Sequence, residues 1–254
     1  MPTPHASRSG LRLAAACLAL PAMCLGVAPA AVAQAKNRPD RVPEAVEGYG
    51  RDMAAAMKSP GPVALEPVFE KGLAAAADLE RGQLERLDEP TYGKVQSAMV
   101  GFAVSREEVV VAAPDPDFFL KLAREKGTDV DRAFFGAYKE THPLSIWPAY
   151  IRLQTDVSGC RAFDGKTLTG LYGLWIAFQK SYPGQYREAA QKEVAGIEET
   201  LESTCACGGE DEVRNALEAF LKAFPGSPVA AKAAARLRTI GNHTSGIRYY
   251  CTPR

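Results

Sequence analysis

Fourteen residues recur in the last third of this 254-residue chain. "AFQKSYPGQYREAA" (Ala177–Ala190) and "AFLKAFPGSPVAAK" (Ala219–Lys232) align without gaps at an offset of 42. Ala177/Ala219, Phe178/Phe220, Lys180/Lys222, Pro183/Pro225, Gly184/Gly226 and Ala189/Ala231 are identical, and Tyr182/Phe224 is conservative. Self-similarity of this kind marks a supersecondary unit that cannot bury its apolar face alone and must stack on its neighbour. A central Pro-Gly makes each copy a helical hairpin, because proline ends one helix and glycine turns the chain into the next.

The apolar period agrees with that reading on both sides of each turn. In the first copy Leu168, Leu171, Tyr172, Trp175, Phe178 and Tyr182 follow a 3.6-residue spacing, and Tyr186, Ala190, Val194, Ile197 and Leu201 line the returning helix. In the second, Val213, Leu217, Phe220, Leu221 and Phe224 precede the turn. Ser227-Pro228 then starts a helix faced by Ala230, Ala233, Leu237 and Ile240.

"ALEAFLKAFPGSPVAAKAAARL" (residues 216–237) resembles the tetratricopeptide-type repeat of periplasmic envelope coordinators and outer-membrane assembly lipoproteins, in which an aromatic-Pro-Gly/Asp-Ser turn joins two helices. The resemblance implies a groove that binds peptides or partner proteins without catalysis. The chain departs from that pattern in having two copies, spaced 42 residues apart rather than about 34, and it lacks the usual Trp, Leu-Gly and Tyr positions. No ligand-binding residue of that family maps onto a position here.

Cysteines bracket the two units. Cys160 precedes the first hairpin, Cys205 and Cys207 lie between the two in "STCACGGEDE", and Cys251 follows the second. The expected arrangement is one clasp per hairpin, either Cys160–Cys205 with Cys207–Cys251 or the swap in which Cys207 takes Cys160. A Cys205–Cys207 redox pair and a zinc site are the competing readings. The first would close a very small ring, and the second needs wider cysteine spacings and thiolates.

The N-terminus bears on the same question. Arg8 and Arg12 precede an apolar run from Leu13 to Val32, small-x-small sites end near Ala35, and no Asp or Glu appears before Asp40. This is the pattern of a cleaved export signal over residues 1–35. An uncleaved anchor is the rival, opposed by Pro21 and Pro29. Lipidation at Cys17 or Cys24 is a second rival, opposed by poor lipobox context. Export to the periplasm or the exterior would place the four remaining cysteines in an oxidising compartment, where an even number implies disulfides.

Loss of Arg8 and Arg12 with the signal leaves 28 Lys and Arg against 30 Asp and Glu, a net charge of −2. That balance offers no concentrated basic face for nucleic acid. No later apolar stretch is long enough to span a bilayer.

Between the signal and the repeats the chain reads as a leader over residues 36–62 and an N-terminal helical part over 63–155, with the two clasped hairpins occupying 156–254. Val46, Tyr49, Met53 and Met57 form a candidate helix face, as do Val68, Ala75, Leu79 and Leu87. Residues 99–113 break the helical period and suggest a small β-hairpin, with helix as the alternative. Asp115-Pro116 and Thr128 cap two further helices, the first stopped by Gly127. "THPLSIWPAYIRLQTD" reads as a loop leading into a short helix or extended piece.

The expected class is therefore mainly α, with tetratricopeptide-like helical hairpins clasped by disulfides. No metal or cofactor is expected, and no catalytic motif of the P-loop, GxSxG, GxGxxG or HExxH kinds is present. His142 and His243 both read as loop residues. Trp147, Tyr150, Tyr172 and Trp175 are candidates for an aromatic groove taking a peptide or glycan, with core packing as the plainer role. The leading functional expectation is an exported, non-catalytic protein-interaction module. An inhibitor or immunity-type protein against a foreign hydrolase, and an envelope hydrolase with an unrecognised site, are the alternatives.

Overall fold

Helix begins inside the expected leader, directly after Pro43. In the computed structural model, which describes residues 40–107, 109–143, 147–153, 159–242 and 244–251, α1 runs Glu44–Lys58 with Glu44 and Glu47 in its first turn and Lys58 in its last. Those charges complement the helix dipole. The expected signal segment with Arg8, Arg12, Cys17 and Cys24, and also His243, lies outside the described residues.

Val46, Tyr49 and Met53 are buried as the periodicity predicts, but Met57 is 44% exposed and Ala56 closes the face instead. α2 (Glu66–Asp78) buries Phe69, Gly72, Ala75 and Ala76, while Val68 is only half-buried. Ala75, Leu79 and Leu87 are buried as expected, and Phe69 takes the place of Val68. A kink follows at Arg81–Gly82, where Gly82 has φ +91°. Only glycine adopts that conformation readily. The redirected chain buries Leu84 and Leu87 from a new angle.

α3 (Glu89–Ala98) has no expected counterpart. Asp88 caps it by accepting from the Thr91 amide at 2.8 Å, but only Thr91 and Val95 are buried along its length, so the sequence carries little apolar period. The hairpin near 99–113 is present: β1 (Phe102–Ser105) pairs antiparallel with β2 (Val111–Pro114), Phe102 opposite Pro114.

α4 (Pro116–Lys126) is capped by Asp115 and ends at Gly127. α5 (Asp129–Thr141) begins in a capping box between Thr128 and Asp131. The extended alternative holds for the next segment, where β3 (Ile151–Leu153) pairs antiparallel with β4 (Gly159–Arg161).

The repeats form two helical hairpins, α6 (Gly165–Ser181) with α7 (Arg187–Glu202) and α8 (Glu210–Ala223) with α9 (Ala230–Thr239). α6 is the central helix, packing against α5, α7 and α8. Arg236 of α9 reaches back to the C-terminal end of α7, donating to the carbonyls of Leu201 (2.6 Å) and Ser203. Buried apolar side chains make one continuous core from Val46 to Ile247. The fold is mainly α, with nine α-helices and two small antiparallel sheets among the described residues.

Candidate functional site

The residues with the most chemistry sit where these elements meet, and most of them face inward. The aromatic quartet does not line an open groove. Trp175 is fully buried, Tyr150 and Tyr172 are almost so, and Trp147 alone is half-exposed. Trp175 donates its indole N–H to Thr141 Oγ1 at 2.9 Å, tying α6 to α5. The Tyr172 ring meets Phe220 and Phe224 edge-on between the two hairpins. Its hydroxyl donates to Glu198 at 3.1 Å, and burial, then the Glu198 charge, pushes its pKa up to about 12. Core packing, the plainer of the two expected roles, is the one taken by Tyr150, Tyr172 and Trp175.

Asp131 is the most connected polar group of the interior. One carboxylate oxygen accepts from the Leu65 amide at 3.1 Å and from the Tyr186 hydroxyl at 2.6 Å. The other accepts from the Thr128 amide and hydroxyl, both at 2.7 Å. A buried carboxylate is tolerated when it is this fully bonded. Tyr186 lies stacked on Phe134 with ring centroids 3.8 Å apart, and its amide donates to Glu66. Burial, followed by the bond to Asp131, holds the Tyr186 phenol far above its ordinary pKa. The group is a pin joining α2, α5 and the first hairpin.

His142 and Glu193 form a second buried pair. His142 Nε2 lies 3.2 Å from Glu193 Oε2, with 6% and 8% of the two residues exposed. His142 is the C-terminal cap residue of α5, not an exposed loop residue, and its ring stacks on Tyr138 at 4.5 Å. Nδ1 is buried with no hydrogen-bond partner among the described residues. Tyr138 and Tyr150 stand near the pair, and burial, then the Glu193 charge, raises both of their phenol pKa values.

An imidazole oriented by a carboxylate is the arrangement of a general base, but both side chains of this pair are buried. Sequence reading missed both pairs, because their members lie 51 (His142–Glu193) and 55 (Asp131–Tyr186) residues apart. The one available signal was Thr128-x-x-Asp131, which reads as a capping box.

The cysteines take the swapped pairing, Cys160–Cys207 and Cys205–Cys251. Each bond encloses one hairpin, so the clasp reading holds, while the adjacent Cys205–Cys207 bond and the zinc site do not form. Among the described residues no group of three or more His, Cys, Asp and Glu is placed to hold a metal. Two disulfides suit a setting outside the reducing cytoplasm. Among the described residues no helix is long and apolar enough to cross a membrane.

Two large apolar side chains of one helix face outward together. Leu174 and Ile176 of α6 are each 37% exposed. On a helical projection they flank Gly170, Gly173 and Ala177, none of which is buried, and exposed Lys166 and Lys180 lie on the same face. Comparison of the chain with protein-family models, with curated proteins and with solved structures found no match.

Proposed function

We propose that this chain is an exported, non-catalytic interaction module of the periplasm or cell exterior, presenting the outer face of α6 to a protein or peptide partner. The observation that carries this reading is the exposure of Leu174 and Ile176 on either side of a shallow strip of small residues, on a helix held rigidly from behind by three others. Covering apolar surface is favourable by about 25 cal/mol per Å², and Gly170, with open space above it, lets a partner backbone approach closely, whereas Gly173 lies under the Phe224 ring. Lys166 and Lys180 complement carboxylates at the margins, so the fitting partner is an apolar segment with acidic flanks. The inward placement of the aromatic and polar groups described above, and the resemblance of the sequence of residues 216–237 to tetratricopeptide-type repeats, support the same reading.

Affinity capture from the native envelope extract tests it, with wild-type protein run beside Leu174→Glu, Ile176→Glu and a control, Met57→Glu, on α1. One captured protein should be lost about tenfold or more in the first two variants, as expected for a charge placed in an interface centre, and retained in the third. Equal capture by all four overturns the reading.

The hydrolase alternative keeps one observation, the buried His142–Glu193 pair with its open Nδ1. If purified protein cleaves a glycan, lipid or peptide and Glu193→Gln abolishes that cleavage, the hydrolase reading replaces the interaction one.

A further inference from the structure

The two clasps meet in one short segment. Residues 204–207 are threaded between two neighbours, with Cys207 N–H donating to Arg161 O at 2.9 Å on one side and Ala206 N–H donating to Arg248 O at 3.0 Å on the other. Parallel bridges join Ala206 to Arg161 and Cys205 to Arg248. In an extended segment alternate side chains share a face. Ala206 is fully buried, so Cys205 and Cys207 project together from the opposite side and are each partly exposed. Cys251 is also partly exposed, whereas Cys160 is 2% exposed.

We propose that Cys205 and Cys207 couple the two disulfides, so that reduction of Cys205–Cys251 by an external dithiol is passed on to Cys160. The dithiol's thiolate attacks Cys251 Sγ, forming a mixed disulfide and expelling the Cys205 thiolate. The second thiol of the reductant resolves that bond, releasing Cys251 and leaving the reductant as its own disulfide. The Cys205 thiolate then attacks Cys207 Sγ, forming Cys205–Cys207 and expelling the Cys160 thiolate, which takes a proton from water. Two electrons enter and one cystine remains, so the balance closes. One feature favours the last step: sulfurs two residues apart meet at high effective concentration. Hydrogen bonds from Arg248 N–H to Thr204 O (2.8 Å) and from Cys251 N–H to Ala206 O (2.9 Å) keep the C-terminal segment alongside. The proposal is independent of what α6 binds.

The test uses the oxidised full chain treated with one equivalent of dithiothreitol, quenched in acid, labelled with a maleimide in denaturant and mapped by mass spectrometry. Label is expected on Cys160 and Cys251, with Cys205 and Cys207 linked. In the Cys251→Ser variant without reductant, label is expected on Cys160. A Cys205→Ser/Cys251→Ser control under the same reductant, compared at matched early quench times, should label Cys160 about tenfold more slowly, because it lacks the proximal attacking thiol. Label confined to Cys205 and Cys251 in the wild type overturns the proposal. So does labelling of Cys160 in the control as fast as that in the wild type. Should Cys251→Ser fail to fold, the wild-type titration decides alone.

Discussion

In the first hairpin Tyr182 ends α6 at φ −130°, ψ 65°, and in the second Phe224 ends α8 at φ −133°, ψ 61°, each donating its amide to the phenylalanine four residues before. The next bonds also match, Gln185 N–H to Tyr182 O (3.2 Å) and Ser227 N–H to Phe224 O (3.1 Å). The copies then separate. Gly184 takes φ +88°, a conformation its counterpart Gly226 does not share, and Tyr186 follows at φ +48° where the second copy has Pro228. A tyrosine in the left-handed region is strained. It is held there by the stack on Phe134 and by its bonds to Asp131 and Glu66. The same turn has thus been kept as a plain connection in one hairpin and made into an anchor in the other. Identity in sequence preserved the local geometry, while the difference between the copies came from what each faces.

The largest test of that contrast is Tyr186→Ala, which removes a fully buried ring and leaves Asp131 one donor short. It should cost about 3–5 kcal/mol in denaturant unfolding, the range for a large aromatic core residue. Tyr186→Phe isolates the hydroxyl and should cost about 1–3 kcal/mol, because the carboxylate it served stays buried.

The clasps should behave alike where the anchors do not. The disulfides span 47 and 46 residues, so removing Cys160–Cys207 or Cys205–Cys251 as a paired Cys→Ala variant should cost about 2–4 kcal/mol each. A large gap between the two measured unfolding midpoints would show that one clasp acts through the folded state rather than through the entropy of the unfolded chain.

Capping distinguishes the hairpins at a smaller scale. Asp164 caps α6, accepting from the Thr167 hydroxyl at 2.5 Å and the Lys166 amide at 3.1 Å, whereas α8 starts at Gly209 with no side-chain cap. Asp164→Ala should cost about 1 kcal/mol. The bond from Thr167, then those from the backbone, hold the Asp164 carboxyl below its usual range. A carboxylate whose pKa is lower folded than unfolded contributes stability above its unfolded pKa and loses it as pH falls through the folded one. Asp164→Asn should therefore flatten the acid side of the stability–pH curve while keeping the cap at neutral pH. The smallest effect is expected at Pro228→Ala, within about 0.5 kcal/mol, and a cost near that of Tyr186→Ala would erase the distinction between the hairpins.

Local features were the legible ones. Asp115, Thr128 and Gly127 marked helix ends because caps and stops act within a few residues, and Pro183-Gly184 and Pro225-Gly226 marked the turns for the same reason. α3 escaped notice because a helix that buries two residues leaves almost no apolar period. Met57 and Val68 were assigned to buried faces that Ala56 and Phe69 occupy instead. A few tens of degrees of helix rotation decide burial, and the neighbours set that rotation. The aromatic quartet stayed open between groove and core, since a tryptophan on a helical face looks the same whether that face meets water or another helix.

The sequence by itself determined the helical class, the duplicated hairpin and the clasp around each copy. Hydrophobic period, proline-glycine turns and cysteine spacing all act through short-range constraints on the chain. Only the tertiary structure chose Cys207 over Cys205 as the partner of Cys160, joined His142 to Glu193, and gave Tyr186 to Asp131. Those choices depend on which elements pack together, and packing against distant neighbours leaves no periodic trace in the residues that do it.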